Sequence, residues 1–103
     1  MPSPTYQLFR TAILGRKQIA CTYQGFYREL CPHILGHKQG QEMALTYQFA
    51  GQSASGLPRR GEWRCLSLAQ VHDAQLRDGP WQAGTRHTAT QACVDIVDVD
   101  VNL

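Results

Sequence analysis

The chain has 103 residues, with 10 Lys and Arg against 8 Asp and Glu, 43% hydrophobic residues, 9 Gly, 5 Pro and 4 Cys, which is the arithmetic of one small globular domain. This composition excludes two independent domains, a collagen-like or low-complexity chain and a wholly disordered one, and no apolar run approaches the roughly 18 residues of a membrane span. The formal charge of +2 is unevenly spread, because residues 1–72 carry 8 Lys/Arg and 3 Asp/Glu whereas residues 73–103 carry 2 and 5, so a cationic stretch precedes an acidic end.

Ser3-Pro4 ahead of Tyr6, Phe9, Ala12 and Ile13 predicts a helix over about 4–14, with Ser3 as N-cap, Pro4 at the first helical position, apolar residues at helical spacing and Gly15 as the stop. The period then changes to two. Ile19, Cys21 and Tyr23 alternate in a strand over Gln18–Gln24, and Gln24-Gly25 predicts a turn. Extended chain resumes over Phe26–Leu35, with Arg28, Leu30, Pro32 and Ile34 on one face and Tyr27, Glu29, Cys31 and His33 on the other. Pro32 cannot donate to a ladder, so this strand is expected at an edge, bulged or strongly bent there.

Gln39-Gly40 predicts a second reversal, followed by a strand in which Met43, Leu45, Tyr47 and Phe49 alternate with Ala44, Thr46 and Gln48; the first set is expected to enter the core. Residues 50–61 form a loop rich in Gly, Ser and Pro that carries Arg59 and Arg60, which can contact a phosphate or serve as solvated charges. Glu62–Leu68 reads as a strand, Ala69–Asp73 as one helical turn and Ala74–Arg77 as extended chain ended by Asp78-Gly79-Pro80. Residues 81–91 have no period. Residues 93–103 alternate again, but the apolar phase slips from Val94 and Ile96 to Val97, Val99, Val101 and Leu103, so a bulge is expected near Ile96. This segment is either an added edge strand or one that pairs with a second copy or another protein, which makes an oligomerisation or protein-interaction module the alternative function.

Four cysteines without a Cys-x-x-Cys pair, in a chain whose Met1-Pro2-Ser3-Pro4 start lacks a secretory layout, predict reduced thiols and a cytoplasmic location. Cys31, His33 and His37 have metal-ligand chemistry, but in a strand residues 31 and 37 lie roughly 20 Å apart at about 3.3 Å per residue, so one ion needs a sharp bend at Gly36. The expectation is no metal and no cofactor. His33, His37, His72 and His87 are scattered, and there is no paired-carboxylate cleft, phosphate-binding glycine loop or zinc-protease signature. The expectation is a protein without enzymatic activity.

One short helix and about five short strands joined by Gly-containing turns predict a mainly β, strongly bent antiparallel barrel of SH3-like or Sm-like type spanning about 17–79, followed by an irregular segment and an acidic, apolar strand over 80–103. From Gly15-Arg16 through Val71 the order of features resembles the WYL domain, a bacterial Sm-like barrel of transcription regulators and phage-defence proteins. The matching elements are the helix ending in Gly15-Arg16, the strand ending in Tyr23, Arg28-x-x-x-Pro32-x-x-Leu35, the Gly40 turn, and Trp63-Arg64-x-Leu66-x-Leu68-x-x-Val71. The chain departs from the pattern where the eponymous triplet reads Met43-Ala44-Leu45 and where later basic positions read Ser67 and Ala69-Gln70. The resemblance implies a regulatory, ligand-sensing module whose arginines and tyrosine line a pocket for a nucleic-acid or nucleotide-like effector.

Arg28 and Arg64 are the candidate anion contacts, because a guanidinium offers planar paired donors to phosphate or carboxylate. Both share strand parity with apolar residues, where an unpaired charge is costly, so internal pairing with Glu29, Glu62 or Asp73 is the competing reading. Tyr23 and Tyr47 are candidates for stacking on a base, with core packing as their competing role.

Overall fold

The computed structural model describes residues 3–51, 62–81 and 93–101. Helix α1 (Pro4–Gly15) starts as its sequence dictates. The Ser3 side chain accepts from the Tyr6 N–H at 3.1 Å, and Pro4 occupies the first turn. Its end differs by one residue. Arg16, at φ 52°, takes the left-handed conformation, with the Arg16 N–H directed to the Ile13 carbonyl and the Lys17 N–H to that of Ala12. This is a Schellman cap with arginine where glycine is usual.

Six antiparallel strands follow. They are β1 (Gln18–Tyr23), β2 (Phe26–Lys38), β3 (Gln41–Gly51), β4 (Glu62–Ser67), β5 (Val71–Arg77) and β6 (Ile96–Asp100), with a short 3-10 helix (Leu68–Gln70) between β4 and β5. The two expected reversals are tight turns in which both central residues have positive φ, Gln24-Gly25 at 53° and 81° and Gln39-Gly40 at 51° and 79°, the backbone that a two-residue hairpin demands. The strand order is β4-β3-β2-β1-β5. β2 is the axis, paired with β3 on one side and shared on the other between β1, opposite residues 26–30, and β6, opposite residues 34–37. No pairing joins β4 to β5 among the described residues, so the mainly β fold with its N-terminal helix stands as an open six-stranded sheet.

Pro32 sits beside a register shift in β2 between Pro32 and Ile34, one of the arrangements expected of a proline that cannot donate. The shift exchanges the faces: Leu30 and Leu35, of opposite parity, enter the same core. That core lies under α1, where Tyr6, Phe9, Ala12 and Ile13 pack on Ile19, Cys21, Tyr23, Leu30, Leu35, Ala44, Leu66, Leu68 and Val71. A second, smaller cluster of Ile34, Leu45, Cys93 and Val94, with Met43 and Trp63 against it, covers the other face of the sheet.

The apolar set of β3 is therefore not the set that enters the main core. Ala44, Thr46 and Gln48 are each 0% exposed, whereas Met43 and Tyr47 are only half-buried on the opposite face. With both faces covered, alternation of polar and apolar residues no longer marks inside from outside.

The reduced-thiol expectation is corrected for two of the four cysteines: Cys65 and Cys93 form a disulfide with Cα atoms 5.6 Å apart, and Cys21 and Cys31 remain buried free thiols. β6 pairs with β2 of its own chain, and the bulge expected near Ile96 falls two residues on, at Asp98, because Val99 faces Leu35 while Val97 faces Gly36. The bulge aims the Asp98 carboxylate at α1 and β2, where it accepts from the Tyr6 hydroxyl at 2.6 Å and lies 2.9 Å from His37 Nδ1. No described helix is long and apolar enough to cross a membrane.

Candidate anion-binding site

The β1–β2 hairpin sets Cys21 opposite Arg28 and brings Tyr23 close by. On the other side of β2, Arg28 faces Gly51 of β3. A Cβ on Gly51 would collide with the Tyr27 carbonyl and the Arg28 Cα, and its φ of 99° is one that side chains rarely adopt. Glycine at 51 thus permits the close approach of β3 that walls in Arg28.

Arg28 is 4% exposed. Its Nη1 donates to Gln48 Oε1 at 3.2 Å, its Cζ lies 5.1 Å from the centroid of the Tyr23 ring, and its Nε, fully buried, has no acceptor among the described residues. Among the described residues no carboxylate pairs with it; Glu29, the neighbour expected to compete for this role, is taken by Arg77 at 2.9 Å. A desolvated guanidinium without a counter-ion is an uncommon arrangement in a core. Burial lowers the Arg28 pKa from its ordinary value, and the nearby charge of Arg64 lowers it further.

Tyr23 is held in place by its hydroxyl, which accepts from the Ser67 N–H at 3.1 Å, so the ring presents a fixed face to the cation. Gln48 is oriented by a bond from Nε2 to the Ala50 carbonyl at 3.1 Å. Arg64 comes from β4, across β3, where Thr46 Oγ1 donates to its backbone carbonyl at 3.1 Å; its Nη2 pairs with Glu62 at 2.9 Å. Internal pairing with a carboxylate, expected as one of two readings, is realised for Arg64 and, among the described residues, not for Arg28. The buried Cys21 thiol is pushed up to about 11 by desolvation, which the Arg28 charge only partly offsets, so it stays protonated at neutral pH.

The structure therefore gathers Tyr23, Arg28 and Arg64 and separates Tyr47 from them. Tyr47 adjoins Gln48 in β3 and so projects to the opposite face, where its ring meets Trp63 at 5.4 Å and Trp63 meets His33 at 4.7 Å. Arg59 and Arg60 lie outside the described residues. Cys31, His33 and His37 do not converge: His33 Nδ1 is bonded locally to the Cys31 carbonyl at 2.8 Å, while His37 belongs to the Asp98 cluster. Among the described residues no three His, Cys, Asp or Glu side chains are placed to hold a metal ion.

One contributor, Gln48, was not foreseen from the residues, whereas Glu62 was among the partners expected for the arginines. A glutamine on the same parity as Arg28's strand neighbours was the available signal for Gln48, but the register shift between Glu29 and Leu30 hides it. Chemically, two guanidiniums and one half-exposed carboxylate leave a net positive charge, and the buried Nε–H of Arg28 remains a donor without an acceptor among the described residues. Comparison of the chain with protein-family models, with curated proteins and with solved structures gives no match.

Proposed function

We propose that the protein is a non-enzymatic binding module that takes an anionic ligand, a nucleotide or a short single-stranded nucleic acid, on Arg28 and Arg64 beside Tyr23. The observation that carries the reading is the burial of Arg28 without a carboxylate partner among the described residues. A buried cation costs stability unless something answers its charge, and a phosphate or carboxylate that accepts from the guanidinium edge supplies both the charge and the missing acceptor. The strand order β4-β3-β2-β1-β5, with a helix before it and a 3-10 turn between β4 and β5, supports a Sm-like barrel of the kind found in WYL domains, in which β4 and β5 approach each other around that turn. The separation of Tyr47 from the arginines removes it from this reading and leaves Tyr23 as the aromatic partner.

Fluorescence anisotropy with labelled single-stranded DNA and RNA oligonucleotides, and with a labelled nucleoside triphosphate, tests the reading. Saturable binding that weakens with salt and disappears in Arg28→Met is expected. No binding at low salt, or binding unchanged in Arg28→Met, overturns it.

A further inference from the structure

The disulfide follows Arg64 directly in β4 but faces the other side of the sheet from the arginine site, where Cys93 packs with Ile34 and Leu45. It joins β4, which pairs only with β3 among the described residues, to the segment that leads into β6 on the far side of β2. To make that link, residues 93–95 run over the sheet face that carries Ile34 and Leu45. Cys93 and Val94 are 6% and 4% exposed there and pack with Ile34, Leu45, Met43 and Trp63. Beyond Val94 the chain is held without covalent help: the Asp95 N–H donates to the His37 carbonyl at 2.9 Å, β6 pairs with residues 34–37, the Asp98 carboxylate takes Tyr6 and His37, and the Val101 N–H donates to the His33 carbonyl at 2.8 Å. The two halves of the disulfide also differ in access, because Cys65 is exposed and Cys93 is buried.

From this arrangement we infer that Cys65–Cys93 is a thiol–disulfide exchange site, and that residues 93–95 are a strap whose hold on the Ile34/Leu45 face depends on the redox state of that bond. The reactant is a dithiol reductant. One of its thiolates attacks Sγ of the exposed Cys65 and forms a mixed disulfide; the Cys65–Cys93 bond breaks with its electron pair on Cys93 Sγ, which takes up a proton. The second thiolate of the reductant then attacks the reductant's own sulfur in the mixed disulfide and releases Cys65, which is protonated in turn. Two electrons and two protons pass to the protein, and the reductant leaves as a disulfide. Opening is confined to the strap, because β6 keeps its pairing to β2 and its Asp98 contacts, and the core under α1 contains neither sulfur of the bond.

The test uses the full chain, with and without dithiothreitol, followed by alkylation with iodoacetamide under native conditions, mass analysis and amide hydrogen exchange. Reduction is expected to yield two alkylated cysteines, Cys65 and Cys93, while Cys21 and Cys31, 2% and 0% exposed, stay protected. The Asp95 amide is expected to exchange about tenfold faster, with β1 and the β1-facing half of β2 unchanged. The double variant Cys65→Ser with Cys93→Ser is expected to reproduce the reduced pattern without reductant. Four alkylated cysteines overturn the proposal, since the bond would then hold the whole fold; so do none, and so does an Asp95 amide that exchanges equally in the oxidised, reduced and double-serine proteins. A double variant that fails to fold, with the reduced wild-type chain also labelling at all four cysteines, overturns it as well.

Discussion

Arg28 Nη1 donates to Gln48 Oε1 at 3.2 Å, and this neutral amide is the only hydrogen-bond partner of the buried guanidinium among the described residues. The pair binds β2 to β3 across the Gly51 approach, yet it leaves the arginine's charge unanswered. A core normally receives an arginine together with a carboxylate. An anion that answered this charge would therefore stabilise the folded chain by mass action.

Gln48→Glu supplies the missing carboxylate from within the chain. It gives up the donation from Nε2 to the Ala50 carbonyl and gains a charge-assisted bond, for a net rise in unfolding free energy on the order of 1 kcal/mol. The same variant is expected to lose its response to anions, because Arg28 is already paired. Urea denaturation with and without added nucleotide reads both effects.

Gly36→Ala tests the seat of β6. A Cβ at this position would strike the Ile96 carbonyl where β6 crosses β2, and backbone cannot step aside as a flexible side chain can. A destabilisation of about 1–3 kcal/mol is expected, with faster amide exchange over β6 and not over β1. An alanine variant as stable as the parent would mean that β6 does not lie against Gly36.

Ser3→Ala removes a cap that works in two directions. The hydroxyl accepts from the Tyr6 N–H and donates to Glu42 Oε1 at 2.6 Å, so it ties α1 to the start of β3. The expected cost is about 1–2 kcal/mol, measured by urea denaturation, and Ser3→Asp is expected to recover less than the usual cap exchange because it sets a second carboxylate beside Glu42.

Alkali is expected to loosen the fold through two buried acids. Cys21 is raised from 9.0 to about 11, chiefly by burial, and Tyr6 from 10.0 to about 12, by burial first and then by its bond to Asp98. Below about pH 9 both groups are protonated in the folded and unfolded chains, and their contribution is fully present. Between 9 and about 11 for Cys21, and between 10 and about 12 for Tyr6, the unfolded chain loses a proton that the folded one keeps, so stability falls as pH rises. The loss for Cys21 is on the order of 2 kcal/mol, and that for Tyr6 is smaller, because its bond to Asp98 is part-buried and screened by solvent. Cys21→Ala is expected to remove the lower part of this decline and Tyr6→Phe the upper part, as read from urea midpoints across that range.

Much of the fold was legible in the residues. Gln24-Gly25 and Gln39-Gly40 announced both hairpins, Ser3-Pro4 announced α1, and Pro32 announced the irregularity in β2, because each of these depends on backbone chemistry within a few residues. The face of β3 was not legible. Its outcome depended on β2 changing face at Pro32 and on a strap arriving from residues 93–95 to cover Leu45, and both are matters of tertiary packing. The disulfide was hidden for the same reason: Cys65 and Cys93 meet only through the register of β4 on β3 and the path of the chain toward β6. Within the candidate site, strand parity correctly placed Arg28 on an apolar face. It could not say that Glu29 would turn away to Arg77, or that Tyr47 would stand on the other side from Tyr23.

An arginine kept buried for an anion has a thermodynamic signature. The most direct measurement is the urea midpoint of the parent chain and of Arg28→Met, each with and without a nucleoside triphosphate at constant ionic strength. Arg28→Met is expected to be as stable as the unliganded parent or more stable by about 1–2 kcal/mol, and the ligand is expected to raise the midpoint of the parent alone. A variant that is strongly destabilised without ligand, or a ligand that raises both midpoints equally, would contradict it.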